Sequence, residues 1–357
     1  MTYVVVCDRA YRIGYGLIRN IFPLIQITIV PYSIEKKLVV AVASSALFDL
    51  TESDQIFRER GEDAYREFQR KNKDVQLPKG IAFPFIRRFL NINNAYPDKL
   101  PVEVILLSKN DPETGLRVFS SIAHYGLDIT RAAFLTGKSP HEYIPAFNVS
   151  VFLSANENDV FDAVAAGHPA GTVLPSSASD ADDDNALRVA FDFDGVIADD
   201  EAEVVYKTGN LDTFQKHELR RVHVPHRPGP LADLFRKLSF FQKLERKREL
   251  GTPNYKRILR TAIVTARNAP AHERVVTTLR DWGVAADETF FLGGIEKSRI
   301  LEVFRPHIFF DDQMTHLASA AGSIPCVHIP FGTRNIKAGQ SIVPRKPASE
   351  SRPTVSA

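Results

Sequence analysis

The stretch LRVAFDFDGVIADDEAE, Leu187–Glu203, decides how this chain reads. It begins as an apolar, strand-like run and then sets Asp192 and Asp194 two residues apart, with Gly195 directly after them. Side chains on a strand repeat every two residues, so both carboxylates project to the same side. Gly195 lets the chain turn away. Ligands of open α/β sheets bind at the carboxyl ends of the strands. An acid-rich strand end is therefore a candidate site. The acids that follow, Asp199, Asp200, Glu201 and Glu203, read more simply as a solvated stretch.

Working outward, three further strand-like segments end in polar residues. TAIVTARN delivers Thr265, Lys297 lies just past TFFLGG, and HIFFDDQ ends in Asp311 and Asp312. Asp-x-Asp, Thr, Lys and Asp-Asp thus come at successive strand ends and point to one crevice. Carboxylates that close raise one another's pKa and stay ionised together only beside a cation. A hard cation such as Mg²⁺ takes a few carboxylates together with water and phosphate oxygens. Thr265 adds a hydroxyl donor, and Lys297 a point charge suited to a phosphoryl group. A carboxylate attacking phosphorus gives an aspartyl-phosphate. Cations around the transferring oxygens supply much of the stabilisation in phosphoryl transfer.

The chain also repeats itself. RVFSSIAHYGLDITRAAFLTG, from Arg117, and RVVTTLRDWGVAADETFFLGG, from Arg274, share a helix, an aromatic-Gly turn and a short strand ending in glycine. FNVSVFLSAN matches FRPHIFFDDQ, and VILLSKN matches TAIVTARN, all at an offset of 157 positions. Upstream, VVAVASSALFDL parallels LRVAFDFDGVIA, and LPKGIAFPFIRRFL parallels HRPGPLADLFRKLSFF. An internal duplication is the reading that follows. Each copy alternates short β-branched strands with helices, which predicts right-handed crossovers and a doubly wound parallel sheet in each half. PSSASDADDDNA, residues 175–186, reads as a solvated acidic linker.

The motifs FDFDGVI, IVTARN, the lysine after FFLGG and IFFDDQ resemble those of the haloacid dehalogenase-like phosphohydrolases. AVASSALFDL, GLRVFSSIAHYGLDITRAAFLTGKSP, HRPGPLADLF and RPHIFFDDQMTH extend the likeness to the cytosolic 5′-nucleotidase I family, over about residues 38–333. That resemblance implies a duplicated haloacid dehalogenase-like α/β fold with a helical cap insertion in each half. It implies Asp192 as nucleophile and Asp194 as general acid, then base. Thr265 and Lys297 would hold phosphate, and Asp192, Asp194, Asp311 and Asp312 would form the Mg²⁺ site. Asp311 is favoured over Asp312 as the direct ligand. The expected reaction is hydrolysis of an AMP-like nucleoside 5′-monophosphate to nucleoside and phosphate.

In the first copy, Ser44 and Ala46 stand where the second has Asp192 and Asp194, and Ser154 and Ala155 replace Asp311 and Asp312. Pro140 takes the place of Lys297, with Lys138 nearby, and Ser108 keeps a hydroxyl opposite Thr265. Residues 38–174 are therefore expected to be a catalytically dead half, and 187–333 the catalytic half with its cap at about 201–257. The dead half is expected to pack on its sister, with binding of a regulatory nucleotide as the lesser reading. Phe214 and His217 are cap candidates for substrate contact by position. His223 and His226 lie near, but the histidine spacing fits no single helical face, which discounts a metal site there.

Composition limits the alternatives. A net charge of +2 and no basic stripe argue against nucleic acid. Two cysteines exclude a disulfide framework and a cysteine-built zinc site, and suit a reducing, cytoplasmic compartment. The apolar GLIRNIFPLIQITIVPY is interrupted by Arg19, Pro23, Gln26 and Pro31 and is too short to cross a bilayer, so residues 1–37 are expected to be an extension or added strand. Residues 334–357 read as a disordered tail. A homo-oligomer and a nucleotide effector are both compatible with this sequence. Two other functions stay open at this stage. One is a phosphatase of another small phosphomonoester, and the other is a non-catalytic nucleotide-binding regulator.

Overall fold

The computed structural model describes residues 32–178, 180, 184–332 and 335. The apolar stretch before Tyr32 and nearly all of the polar tail lie outside these residues. The first half runs β1 (Leu38–Val42), α1 (Ser44–Leu47), α2 (Thr51–Lys71), α3 (Phe83–Ala95), β2 (Val102–Ser108), α4 (Gly115–His124), β3 (Arg131–Phe134), β4 (Val149–Ser154), α5 (Glu157–Ala165) and β5 (Ala170–Val173). The second runs β6 (Leu187–Phe191), α6 (Glu201–Thr208), α7 (Leu211–Arg220), α8 (Ala232–Gly251), β7 (Leu259–Thr265), α9 (His272–Asp281), β8 (Glu288–Phe291), α10 (Lys297–Phe304), β9 (Ile308–Asp311), α11 (Met314–Ala320) and β10 (Cys326–His328).

These strands form one sheet of ten, in the order β3-β2-β1-β4-β5-β10-β9-β6-β7-β8. The second half repeats the order of the first in mirror sequence about the β5–β10 seam. Every neighbouring pair is parallel except at that seam, where Val327 pairs with Val173 and His328 with Thr172 in antiparallel register. A separate sheet for each half was the expectation from sequence. The two are instead fused edge to edge, which removes an exposed edge from each. Closeness at the seam is set by Gly171, where an added Cβ would sit 2.3 Å from Cγ1 of Val327.

The central strands β1, β2, β4, β6, β7 and β9 are buried along nearly their whole length, as their Val-, Ile- and Phe-rich runs predict for strands covered on both faces. One large apolar cluster crosses both halves, joining Phe85 and Phe89 of α3 to Phe191, Phe235 and Phe310. Helix α3 packs on β2 and reaches β6, and α8 packs on β7 and reaches β4. Polar contacts follow the same route. Ser150 donates to Asp233 at 2.6 Å, and Tyr96 donates to Glu245 at 3.1 Å.

The stretch expected to be cap, 201–257, divides in two. Leu234, Phe235, Leu238 and Phe241 of α8 are buried in the core, so α8 is a crossover helix lying on the sheet. Helices α6 and α7 pack on each other, and α7 on α9, leaving these two as the cap-like part. The run RKLSFFQKLERKRE lies within α8, and the surface that its apolar residues cover is the core. Among the described residues no helix is long and apolar enough to cross a membrane.

Candidate active site

The order β9-β6-β7 brings together the strand ends picked out in the sequence. Asp192 follows β6 directly, and its N–H donates to the carbonyl of Phe310 at 2.8 Å, carrying the ladder one step past the strand. Thr265 closes β7, Asp311 closes β9, and Lys297 is the first residue of α10. Asp192, Thr265, Lys297, Asp311 and Asp312 are all buried. The Nζ of Lys297 lies 2.8 Å from Oδ2 of Asp192 and 2.7 Å from Oδ2 of Asp311, bridging the two carboxylates.

Their partners then separate the acids. Asp311 is saturated: Lys297 and His316 (3.2 Å) meet Oδ2, and the N–H of Gln313 donates to Oδ1 at 2.8 Å. Burial pushes its carboxyl up, but Lys297 and His316 outweigh burial and hold it below the ordinary carboxylate range. Asp192 accepts from the N–H of Phe193 at 2.7 Å, yet burial raises its carboxyl to about 7 against the pull of Lys297. Asp312 has no such support. Its Oδ1 is buried without a hydrogen-bond partner. Burial, then the charges of Asp192 and Asp311, raise it to about 9. Gly195, at φ +73°, carries the turn beneath it; a Cβ there would stand 2.6 Å from Oδ2 of Asp312.

These observations test whether the donor set suits a divalent cation. Asp192, Asp311 and His316 could converge on an ion. The Lys297 ammonium already meets that group's need for positive charge. The need left unmet is at Asp312, an orphaned carboxylate beside Asp192 and close enough to Asp194 to feel its charge. Carboxylates in surplus around a buried, unpaired oxygen fit a hard oxygen-loving cation. Sequence cannot tell the adjacent pair apart, and Asp311 is the expectation stated above; in the structure it is Asp312 that keeps a buried oxygen without a partner.

Between about pH 4, the unfolded value, and about 9, folded Asp312 keeps a proton that the unfolded chain has lost. Stability should therefore fall as pH rises through this window. In chelator, Asp312→Asn is expected to flatten that slope between pH 6 and 8 and to raise the unfolding free energy at pH 8 by about 1–3 kcal/mol. Urea denaturation at both pH values measures it. A slope that the substitution leaves untouched would mean that Asp312 carries no such proton.

Asp194 turns away from this group. Both its oxygens accept from Arg267, Oδ2 from Nε and Oδ1 from Nη2, each at 2.7 Å. Arg267 lies two residues past Thr265, whose Oγ1 accepts the Arg267 N–H at 3.3 Å and leaves the hydroxyl proton free to donate. The same guanidinium pairs with Glu218 of α7 and donates to the carbonyl of Ala271 at 3.2 Å. Glu218 also takes Arg274 at 2.9 Å and stands 3.3 Å from His226. Burial works to raise its carboxyl, but His226 and Arg267 hold it far below the ordinary range. Arg274 reaches on to Glu201 of α6 at 2.9 Å, and Glu201 also pairs with Arg221.

Of the cap candidates, Phe214 is half-buried, with its ring centroid 5.5 Å from the Arg267 guanidinium carbon. His217 is half-buried 3.1 Å from Glu218. The three histidines do not converge: His226 is buried, while His223 is exposed. Sequence reasoning missed Arg267, Glu218, Arg274 and His316. Arg267 stood inside the quoted IVTARN, and a buried arginine at a strand end was the available signal. Glu218 sits in a polar helix and gave none.

At the matching strand ends of the first half, Ser44 and Ser108 lie Oγ to Oγ at 3.0 Å and satisfy each other. Ser154 accepts the N–H of Asn156 at 3.0 Å. Lys109 pairs with Asp159, Pro140 is buried and Lys138 is exposed.

A family model described as 5'-nucleotidase matches residues 30–336. Among curated proteins, the human (Homo sapiens) Cytosolic 5'-nucleotidase 1B is 35% identical over 291 residues, which cover 79% of this chain and 47% of that protein. The chain thus spans about half the length of the curated relative it matches. No solved structure matches it.

Proposed function

We propose that this chain, which belongs to the 5′-nucleotidase family, is a Mg²⁺-dependent hydrolase of nucleoside 5′-monophosphates acting through Asp192. The observation that carries this is the convergence of Asp192, Lys297, Asp311 and Asp312 at adjoining strand ends, with one carboxylate left without a counter-charge. A protein that only bound nucleotide would have no use for buried carboxylates beside its anionic ligand.

On this reading the chain is two haloacid dehalogenase-like units in tandem. The mirrored strand order supports the duplication, and so do hydrogen bonds repeated in detail. Arg117 Nε donates to the Val75 carbonyl at 2.9 Å, and Arg274 Nε to Val224 at 2.8 Å. Ser121 donates to the Arg117 carbonyl and accepts from the Leu77 N–H; Thr278 does the same with Arg274 and His226. The first unit lacks the carboxylates, so its role is to complete the sheet and core. The second does the chemistry.

Asp192 attacks phosphorus and the bond to the nucleoside oxygen breaks, while Asp194, protonated from solvent on an oxygen freed from Arg267 and still held by the other, gives that proton to the leaving oxygen. Asp194 then takes a proton from water, which attacks the aspartyl-phosphate and frees phosphate. Lys297 and the Thr265 hydroxyl are placed to meet phosphoryl oxygens. The cation would be held by Asp192 and Asp312, with residue 194 beside them, and would supply charge neutralisation for the phosphoryl oxygens. A role for Phe214 as an apolar platform for the base fits its place on α7, and His217 would line the same cap.

The test is phosphate release from a panel of nucleoside 5′-monophosphates and sugar phosphates, with Mg²⁺ and with chelator. Mg²⁺-dependent release from the nucleotides is expected. Preference for sugar phosphates would move the assignment to another phosphomonoesterase, and silence across the panel would make the chain a binding protein.

A further inference from the structure

Asp194 is clamped by both oxygens to one guanidinium, which also grips a carboxylate of the cap. The side chains of Arg267 and Glu218 are 3% and 0% exposed. The chain of contacts runs Asp194, Arg267, Glu218, Arg274, Glu201 and joins the β6 and β7 loops to α7, α9 and α6. A planar guanidinium fork fixes the orientation of a carboxylate as well as its charge.

The first half provides an internal control. There Ala46 stands for Asp194, Asn110 for Arg267 and Gln69 for Glu218, while Arg117 keeps the place of Arg274. Arg117 donates to Gln69 at 3.2 Å, and Tyr65 donates to Asn110 at 3.3 Å. Around them the first half ties α2 to the loop after β2 with surface ion pairs, Arg66 to Asp111 at 3.0 Å and Arg70 to Glu113 at 2.9 Å. The buried chain of acid, guanidinium and acid has no counterpart there: the places of both acids and of the arginine between them are taken by neutral residues, in the half that also has no carboxylates at its strand ends.

We infer that Arg267 is a positioning residue of the reaction: it aims Asp194 at the leaving oxygen and does so fully only while Glu218 of α7 is seated against it. The inference rests on the nucleotidase reading and deepens it. Proton donation to the leaving group is then tied to the cap being in place, so an uncapped site does not complete the phosphoryl transfer.

The leaving group separates this role from a merely structural one. A nucleoside oxygen is a poor leaving group and needs the proton, whereas p-nitrophenolate leaves without it. The measure is kcat/KM, which stops at formation of the aspartyl-phosphate and excludes the later hydrolysis. In Arg267→Met, kcat/KM for a nucleoside 5′-monophosphate is expected to fall about 10²-fold, and at least tenfold more than for p-nitrophenyl phosphate. Glu218→Gln should show the same selectivity with a smaller loss, and Arg267→Lys a partial one. In an Asp194→Asn background, Arg267→Met should cost little more, because the two act as a unit.

Equal losses for both substrates, or losses that add in the double variant, overturn the inference and leave the nucleotidase reading standing. No phosphate release from any nucleotide by the unsubstituted chain overturns both. If Arg267→Met does not fold, Glu218→Gln and Arg267→Lys decide by the same ratio.

Discussion

Asp192→Asn is expected to cut phosphate release from a nucleoside 5′-monophosphate by at least about 10⁴-fold, the scale on which loss of a nucleophile is felt. The amide has nearly the shape of the carboxylate and can still accept the Phe193 N–H that now reaches Oδ1 at 2.7 Å. It cannot attack phosphorus. The fold should survive, since Asp192 sits buried at a strand end whose backbone bond to Phe310 does not depend on the side chain. Acid-quenched reactions with labelled substrate supply a second readout. The unsubstituted chain should retain label on protein, and the variant none. Turnover within tenfold of the unsubstituted chain would place the nucleophile elsewhere.

Lys297→Met should damage stability and turnover together. Its ammonium lies between Asp192 and Asp311, and the lysine side chain is 2% exposed. Burial alone would lower its pKa, yet the two carboxylates hold it above the ordinary lysine value. Removing it leaves two buried carboxylates facing each other, an error that costs about 3–5 kcal/mol when a buried pair is broken. A chain of this size should then melt roughly 5–10 °C lower in chelator. Loss of one charged contact to the transferring phosphoryl group should lower kcat/KM on the order of 10²–10³-fold. Lys297→Arg should not restore activity, because the larger planar guanidinium does not fit the buried space that a compact ammonium fills between Asp192 and Asp311. Unchanged melting with lowered kcat/KM would mean that Lys297 meets phosphate without bridging the acids.

Much of this was legible in the sequence, for a physical reason. A strand end is defined locally: an apolar run stops, and the next one or two residues are polar. Asp192, Thr265, Lys297 and Asp311 are each readable that way, and all stand where the chain leaves a strand or enters the helix that follows one. The repeat at 157 positions is legible for a similar reason, because similar folds need similar apolar patterns. Helix α8 was misjudged as cap because amphipathic periodicity shows that a helix has an apolar face and says nothing of which surface covers it.

Ion pairs escape such reading. Asp194 and Arg267 are separated by 73 positions, and Arg267 and Glu218 by 49. Nothing in the spacing tells that two acids from different segments share one guanidinium. Nor could the sequence choose between Asp311 and Asp312. They are adjacent and chemically identical, and only packing turns one toward Lys297, His316 and the Gln313 N–H while leaving an oxygen of the other unpaired.

The seam shows the same division. Apolar period and turn residues dictated which segments become strands and that neighbours within a half run parallel, since connections through helices leave little else. That β5 and β10 meet antiparallel and fuse two sheets into one was decided by the tertiary structure, where Gly171 admits Val327 and a single core spans both halves. Local chemistry along the chain determined the strands, their ends and the acids placed there. Which charge meets which, and therefore which carboxylate is held by Lys297, which is clamped to Arg267 and which keeps an unpaired oxygen, depends on distances that exist only once the chain is folded.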